Sequence, residues 1–283
     1  MAELPAKRQS VSRRTVFFVS DQTGVTAETM GHSLLTQFEG LELRAVTLPF
    51  VSSIDKAREA VRRIDAAAAA AEVRPIVFST LVQEELRAIV MGANGLFLDF
   101  FAAFVGPLEQ ELGLRSTHRA GRAHGMADLA AYTTRINATN YSLANDDGAG
   151  LDYAHADVVL IGVSRTGKTP TCLYMALHYG IFAANYPLTE EDLESGELPA
   201  RLTAFRDRLY ALTIHPERLQ QIRNERRPES RYASAPQVQY EVRAAESLFQ
   251  RYAVPYIDAT ECSIEEIASR IIDNSGIERR QRP

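Results

Sequence analysis

Cysteine is scarce in this chain: two among 283 residues, Cys172 and Cys262. No C-x-x-C or H-x-x-x-H spacing occurs, so neither a disulfide framework nor a structural zinc site is expected. Cys172 falls in an apolar helix pattern and reads as a buried thiol. Long apolar runs are absent too. Behind a polar, basic N-terminus, Val16-Phe17-Phe18-Val19 is far too short for a signal sequence or a membrane span, so a cytoplasmic protein without membrane contact is expected. Nor is there an excess of charge of one sign. The net charge is −5 and the pI about 5.8, which gives no footprint of a general nucleic-acid binder. The basic cluster Arg223-Asn224-Glu225-Arg226-Arg227 is local, and reads either as a solvated helix end or as a phosphate or partner contact.

What is present is enough apolar matter, 46% of residues, for one large or two modest domains. Strand-like and helix-like stretches alternate along the chain, which predicts an α/β protein with a mainly parallel sheet in each half. Residues 1–14 are expected to be disordered. Residues 15–115 form an N-terminal α/β domain, 116–150 a connecting segment, and 151–283 a C-terminal P-loop nucleotide-binding domain. Within these, Leu98 to Leu112 reads as an internal helix that Gly106-Pro107 could break. Thr189 to Leu198 reads as an acidic loop or lid. Ser263 and Glu266 make a capping box for a final helix.

The sharpest motif is Gly162-Val163-Ser164-Arg165-Thr166-Gly167-Lys168-Thr169, the P-loop pattern G-x-x-x-x-G-K-[ST]. It follows the apolar run Val158-Val159-Leu160-Ile161. Chance would produce the string in roughly one chain in a hundred of this length. The alternative is an ordinary Gly-containing turn with an exposed lysine. A buried strand ending in such a loop and opening a helix aims backbone N–H groups and a helix N-terminus at one anion. Lys168 supplies a full positive charge to the phosphates, and Thr169 a hydroxyl for Mg²⁺. Pro170 is tolerable because first-turn N–H groups have no intrahelical partner.

Other polar clusters are less specific. Ser20-Asp21-Gln22-Thr23-Gly24-Val25-Thr26 sits at a strand-to-helix turn, and reads as a helix cap in preference to a second anion site. Asp146-Asp147-Gly148 is either a β-turn or a metal ligand and general base placed near the P-loop. No apolar strand ending in Asp stands out to hold Mg²⁺ in the usual way. His118 and His124, in a Gly/Arg-rich loop, could carry protons near neutral pH or be incidental. His178 and His215 read as local structure.

Taken together, these segments resemble one family closely. The matching pieces are Ser20-Asp21-x-Thr23-Gly24-x-Thr26-Ala27-Glu28, Asp146-Asp147-Gly148, and Gly162 through Pro170. Ala184-Asn185-Tyr186-Pro187, Leu212-Thr213-Ile214-x-Pro216-x-Arg218-Leu219-x-x-Ile222-Arg223, Arg231-Tyr232-Ala233 and Ser263 through Ala268 follow in order. The chain is similar to the bifunctional serine/threonine kinases and pyrophosphorylases that regulate phosphoenolpyruvate synthase in bacteria. Relatives of that family act on pyruvate, phosphate dikinase.

The resemblance implies a kinase that uses ADP to phosphorylate a threonine of the target. It also implies a reverse activity that removes the phosphate with inorganic phosphate, releasing pyrophosphate. It makes the synthase the expected partner over the dikinase, ADP the donor and Mg²⁺ the accompanying ion, and it leaves room for a homodimer. Lys168 and Arg165 would stabilise charge on the transferred group, and Asp147 or Asp21 would accept the threonine proton. Gln22 and Asn145 depart from the family pattern, which has a small residue at the first and, in some relatives, His at the second. Two other classes compete with this reading. An ATP-dependent small-molecule kinase would need an Arg-rich lid, which Thr189 to Leu198 lacks. A nucleotide sensor would bind without phosphoryl transfer.

Overall fold

The computed structural model describes residues 13–71, 73–117, 129–148, 150, 152–278 and 280. The chain divides into two compact units, Met1–Ala127 and Asp128–Pro283. Residues 1–12, expected to be disordered, and the loop with His118 and His124 lie outside the described residues.

The first unit runs β1 (Arg14–Ser20), α1 (Val25–Leu35), β2 (Leu43–Leu48), α2 (Ile54–Ala69), β3 (Ile76–Thr80), α3 (Glu84–Met91), β4 (Leu96–Asp99) and α4 (Phe100–Leu112). Its sheet is all parallel, in the order β2-β1-β3-β4. The central strands are apolar without alternation because helices cover both faces. Phe17, Val19 and Val77 pack with Ala57, Ile64 and Leu86 of α2 and α3. Val16, Phe18 and Phe78 pack with Ala27 and Leu35 of α1 and with Phe100 of α4. The rings of Phe18, Phe78 and Phe100 stack in series, 5.7 and 5.5 Å between centroids. Gly31 lets α1 lie against this stack: a Cβ there would stand 2.6 Å from the Phe18 ring.

The second unit contains α5 (Leu129–Ala144), β5 (Val158–Gly162), α6 (Lys168–Tyr179), β6 (Ala183–Pro187), α7 (Glu190–Ser195), β7 (Leu209–Thr213), α8 (Pro216–Arg226), α9 (Ala235–Arg251), β8 (Tyr256–Asp258) and α10 (Ile264–Ser275). Its order, β6-β5-β7-β8, repeats the permutation of the first unit, again all parallel. One core joins α6 and α10 to the sheet through Cys172, Met175, Ile267 and Ile271. The other joins α8 and α9 through Leu219, Val242 and Phe249. Strand order therefore reverses between β5 and β7, with helices leaving to opposite faces. Such a switch point opens a crevice at the C-terminal strand ends.

Four local readings change. Leu96–Asp99 is a strand, merged in the sequence with the apolar start of α4, and Asp99 caps that helix by accepting from the Ala102 N–H at 2.8 Å. Helix α4 is an outer helix that keeps Pro107 within it. Phe100 is buried, but Phe101, Phe104, Leu108 and Leu112 are exposed, so its apolar content did not mean an internal position. The expected lid contains a short helix, α7, started by a Thr189/Asp192 capping box. Helix α1 has no side-chain cap at all: its N-cap is Gly24, in the left-handed region at φ 86°. Helix α5 packs on α6 and β6 and is fixed by the Ser142 hydroxyl donating to the Ala183 carbonyl at 2.7 Å. The Ser263/Glu266 capping box forms as the sequence suggests.

Candidate active site

The P-loop closes the crevice at β5. Gly162 has φ 150°, and a Cβ on it would lie 2.4 Å from the Leu212 carbonyl oxygen, so only glycine lets β5 turn against β7 here. Gly167, left-handed at φ 90°, is the N-cap of α6 and offers no capping side chain. The first N–H groups of α6 are thus left to a ligand or solvent, at the positive end of the helix dipole. Pro170 sits in this first turn, where it removes no helical bond.

Lys168 opens the helix but is only 4% exposed, and its Nζ donates to the Val163 carbonyl at 2.9 Å. Burial pulls its pKa down from 10.5 to about 8, helped by Arg223 and opposed by Asp147 and Asp146. The neighbouring Cys172 thiol is itself pushed upward by burial and stays neutral; it donates to the Ala184 carbonyl at 3.4 Å, the inert role expected of it.

This lowered pKa has a measurable consequence. Between about pH 8 and 10.5 the folded chain holds fewer protons on Lys168 than the unfolded chain does. The free protein should therefore gain stability as pH rises through that interval, by roughly 3 kcal/mol in all. Anion binding should weaken over the same range, since it favours the charged amine. Urea unfolding at pH 7.5 and 10, compared with Lys168→Met, checks this: the pH-dependent gain should vanish in the variant.

Beside the lysine stands the acidic pair, in a 3-10 turn over Asp146–Gly148. The Asp146 Oδ1 accepts from the Thr169 hydroxyl at 2.8 Å and from the Asn185 amide at 2.5 Å. Asn185, fully buried on β6, also takes the Asp147 N–H on its Oδ1 at 3.0 Å, so its two amide ends orient both acids. Asp147 adopts φ 49°, and its exposed carboxylate has no hydrogen-bond partner among the described residues. Asp146 is thus committed to Thr169, while Asp147 is free to meet a substrate.

Thr169 and Asp146 are hard oxygen donors and fit Mg²⁺, which takes one or two protein oxygens and completes its shell with water and phosphate. No cluster of three or more His, Cys, Asp or Glu able to hold a metal occurs among the described residues, so ligand oxygens would have to complete the shell. Among the described residues of this unit, one strand ends in Asp but does not adjoin β5, in keeping with the sequence reading. It is β8, with Asp258, which lies two strands from β5 and accepts from the Thr260 N–H at 2.9 Å.

The remaining candidates fall elsewhere. Arg165 is exposed at the loop tip with φ 79°. Asp21 belongs to the first unit, at the end of β1. Its carboxylate accepts from the Val82 N–H at 3.2 Å and is pushed upward in pKa, by burial above all. Gln22 uses its backbone in that turn, taking the Phe50 N–H and donating to the Ser20 hydroxyl. Asn145 is buried and bonds the Tyr141 carbonyl and the Asp152 N–H. His178 stacks on Tyr174, and His215 pairs with Glu217 at the start of α8. The basic cluster splits: Arg226 and Arg227 are exposed, but Arg223 is wholly buried, bonded to Ser164, Tyr232 and Glu241. Asn185, Arg223 and the commitment of Asp146 were not assigned from sequence. Their signal lay in the motifs that carry the resemblance, which placed them without giving them a role.

Among the described residues, no helix is long and apolar enough to cross a membrane. The family model described as Kinase/pyrophosphorylase matches residues 16–272. A protein of Ectopseudomonas mendocina (strain ymp) is 52% identical over 269 residues, 95% of this chain and 99% of its own length. One of Hahella chejuensis (strain KCTC 2396) is 50% identical over 268 residues, 94% and 98% of the two chains. One of Xanthomonas campestris pv. campestris (strain B100) is 53% identical over 266 residues, 94% and 97%. All three are named, provisionally, as phosphoenolpyruvate synthase regulatory proteins. The match takes in both parallel sheets, the P-loop and the acidic turn beside it, and this chain belongs to the kinase/pyrophosphorylase family.

Proposed function

We propose that this protein regulates phosphoenolpyruvate synthase by reversible phosphorylation of a threonine, with ADP as donor and inorganic phosphate as the agent of removal. The observation that carries the reading is the convergence of Lys168, Thr169, Asp146 and Asp147 at the end of β5, in a chain whose relatives are named for that regulation. In the forward step the threonine hydroxyl oxygen bonds the β-phosphorus of ADP, the β-phosphorus to bridging-oxygen bond breaks, and AMP leaves. The hydroxyl proton goes to a carboxylate. In the reverse step a phosphate oxygen bonds the phosphothreonine phosphorus, the bond from that phosphorus to the threonine oxygen breaks, the threonine oxygen takes up a proton, and the pyrophosphate so formed is released.

The loop N–H groups and Lys168 hold the transferred group and stabilise the charge that grows on it. Arg165, at the tip, can add a forked contact to the same oxygens. Thr169 and Asp146 would hold Mg²⁺, which would supply positive charge to neutralise the phosphates. Asp147 is the favoured proton acceptor, since its carboxylate is uncommitted and close enough to Lys168 to act on its titration.

The test is to incubate the protein with the synthase and ADP, or with the phosphorylated synthase and phosphate. Phosphothreonine with AMP, and pyrophosphate with recovered synthase, are the expected products. Phosphorylation supported by ATP and not ADP, or transfer to a metabolite without a protein acceptor, would remove the reading.

A further inference from the structure

Behind the P-loop lies a polar assembly that phosphate contact does not account for. Arg223 of α8 is 0% exposed. Its Nη2 donates to the Ser164 carbonyl at 3.2 Å and to Glu241 of α9 at 2.6 Å, and its Nη1 donates to the Tyr232 carbonyl at 3.0 Å. The guanidinium lies over the Tyr232 ring, 4.1 Å from its centroid. The Tyr232 hydroxyl in turn donates to the Ser164 hydroxyl oxygen at 3.0 Å. A buried ion pair is weak evidence for stability, since apolar side chains of the same volume often serve as well. What apolar side chains could not do is grip Ser164 at both its carbonyl and its hydroxyl.

The grip falls where the loop is most strained. Arg165 follows at once, a non-glycine residue at φ 79°, and such a conformation persists only when its surroundings fix it. The peptide joining the two residues is planar and trans, so its C=O and N–H point opposite ways. By holding the Ser164 carbonyl, Arg223 sets the direction of the Arg165 N–H, one of the groups a P-loop offers to phosphate.

We propose that Arg223 and Tyr232 are positioning residues for phosphoryl transfer, holding the P-loop through Ser164 in the shape that binds ligand. The inference rests on the P-loop function proposed above.

The test is calorimetric binding of ADP to the full chain. Tyr232→Phe removes only the bond to the Ser164 hydroxyl, and should weaken ADP binding roughly three- to tenfold, the range of one net hydrogen bond, with unfolding close to wild type. Ser164→Ala combined with Tyr232→Phe should bind no worse than the weaker single variant, because both remove one shared contact. Arg223→Lys keeps a charge opposite Glu241 but cannot hold both carbonyls, and should also weaken ADP. Wild-type affinity in Tyr232→Phe, or losses that add in the double variant, overturns the positioning role while leaving the proposed function intact. If the wild-type chain binds neither ADP nor phosphate, both fall together.

Discussion

Replacing Lys168 with methionine should reduce phosphoryl transfer by a factor of about 10²–10³ and leave the protein at least as stable as before. The rate loss is the scale seen when one preorganised charge or donor is removed from a transition state. The stability follows from burial. At pH 7 the wild-type chain carries an ammonium group 4% exposed, and desolvation has already drawn its pKa to about 8. Methionine fills much of the same space and carries no charge to desolvate. The Val163 carbonyl loses its donor, which offsets part of the gain. Activity loss together with an unchanged or raised unfolding midpoint would mark Lys168 as functional and not structural. Full activity in the folded variant would exclude it from the mechanism.

The second large effect should come from the acidic pair, and the two members should fail differently. Asp146→Asn keeps an oxygen for Thr169 and Asn185 but removes the charge. It should cost about 10²-fold in transfer, by analogy with lost charge stabilisation, and excess Mg²⁺ should restore part of the rate. Asp147→Asn leaves that oxygen cluster untouched. Its loss should lie in the roughly 10²–10⁴-fold range of a general base, with no recovery on adding Mg²⁺. Transfer rates over a Mg²⁺ titration distinguish them. Identical Mg²⁺ responses in the two variants would refute the division of labour.

The sequence made the P-loop, the alternation of strands and helices and the buried Cys172 readable because each has a local cause. The glycines fix unusual backbone, and covered parallel strands are apolar throughout. What escaped had non-local causes. β4 is continuous in hydropathy with α4, and only its pairing with β3 separates them. Helix α4 is apolar enough to read as internal, yet where a helix lies depends on what packs around it. Asp146 and Asp147 are indistinguishable as neighbouring letters. Thr169, 23 residues on, and Asn185, 39 residues on, decide which one is engaged. Arg223 sits in a basic run that reads equally as a solvated helix end or as a phosphate or partner contact, and its burial is set by Glu241 and Ser164, on other elements.

The most direct measurement follows the β-phosphate of ADP. Purified phosphoenolpyruvate synthase is incubated with this protein, Mg²⁺ and ADP labelled at the β-phosphorus, and the synthase is then isolated and treated with fresh protein and unlabelled phosphate. The account predicts label on a threonine of the synthase in the first step and in pyrophosphate after the second. Synthase that stays unlabelled with ADP but accepts the γ-phosphate of ATP would contradict it.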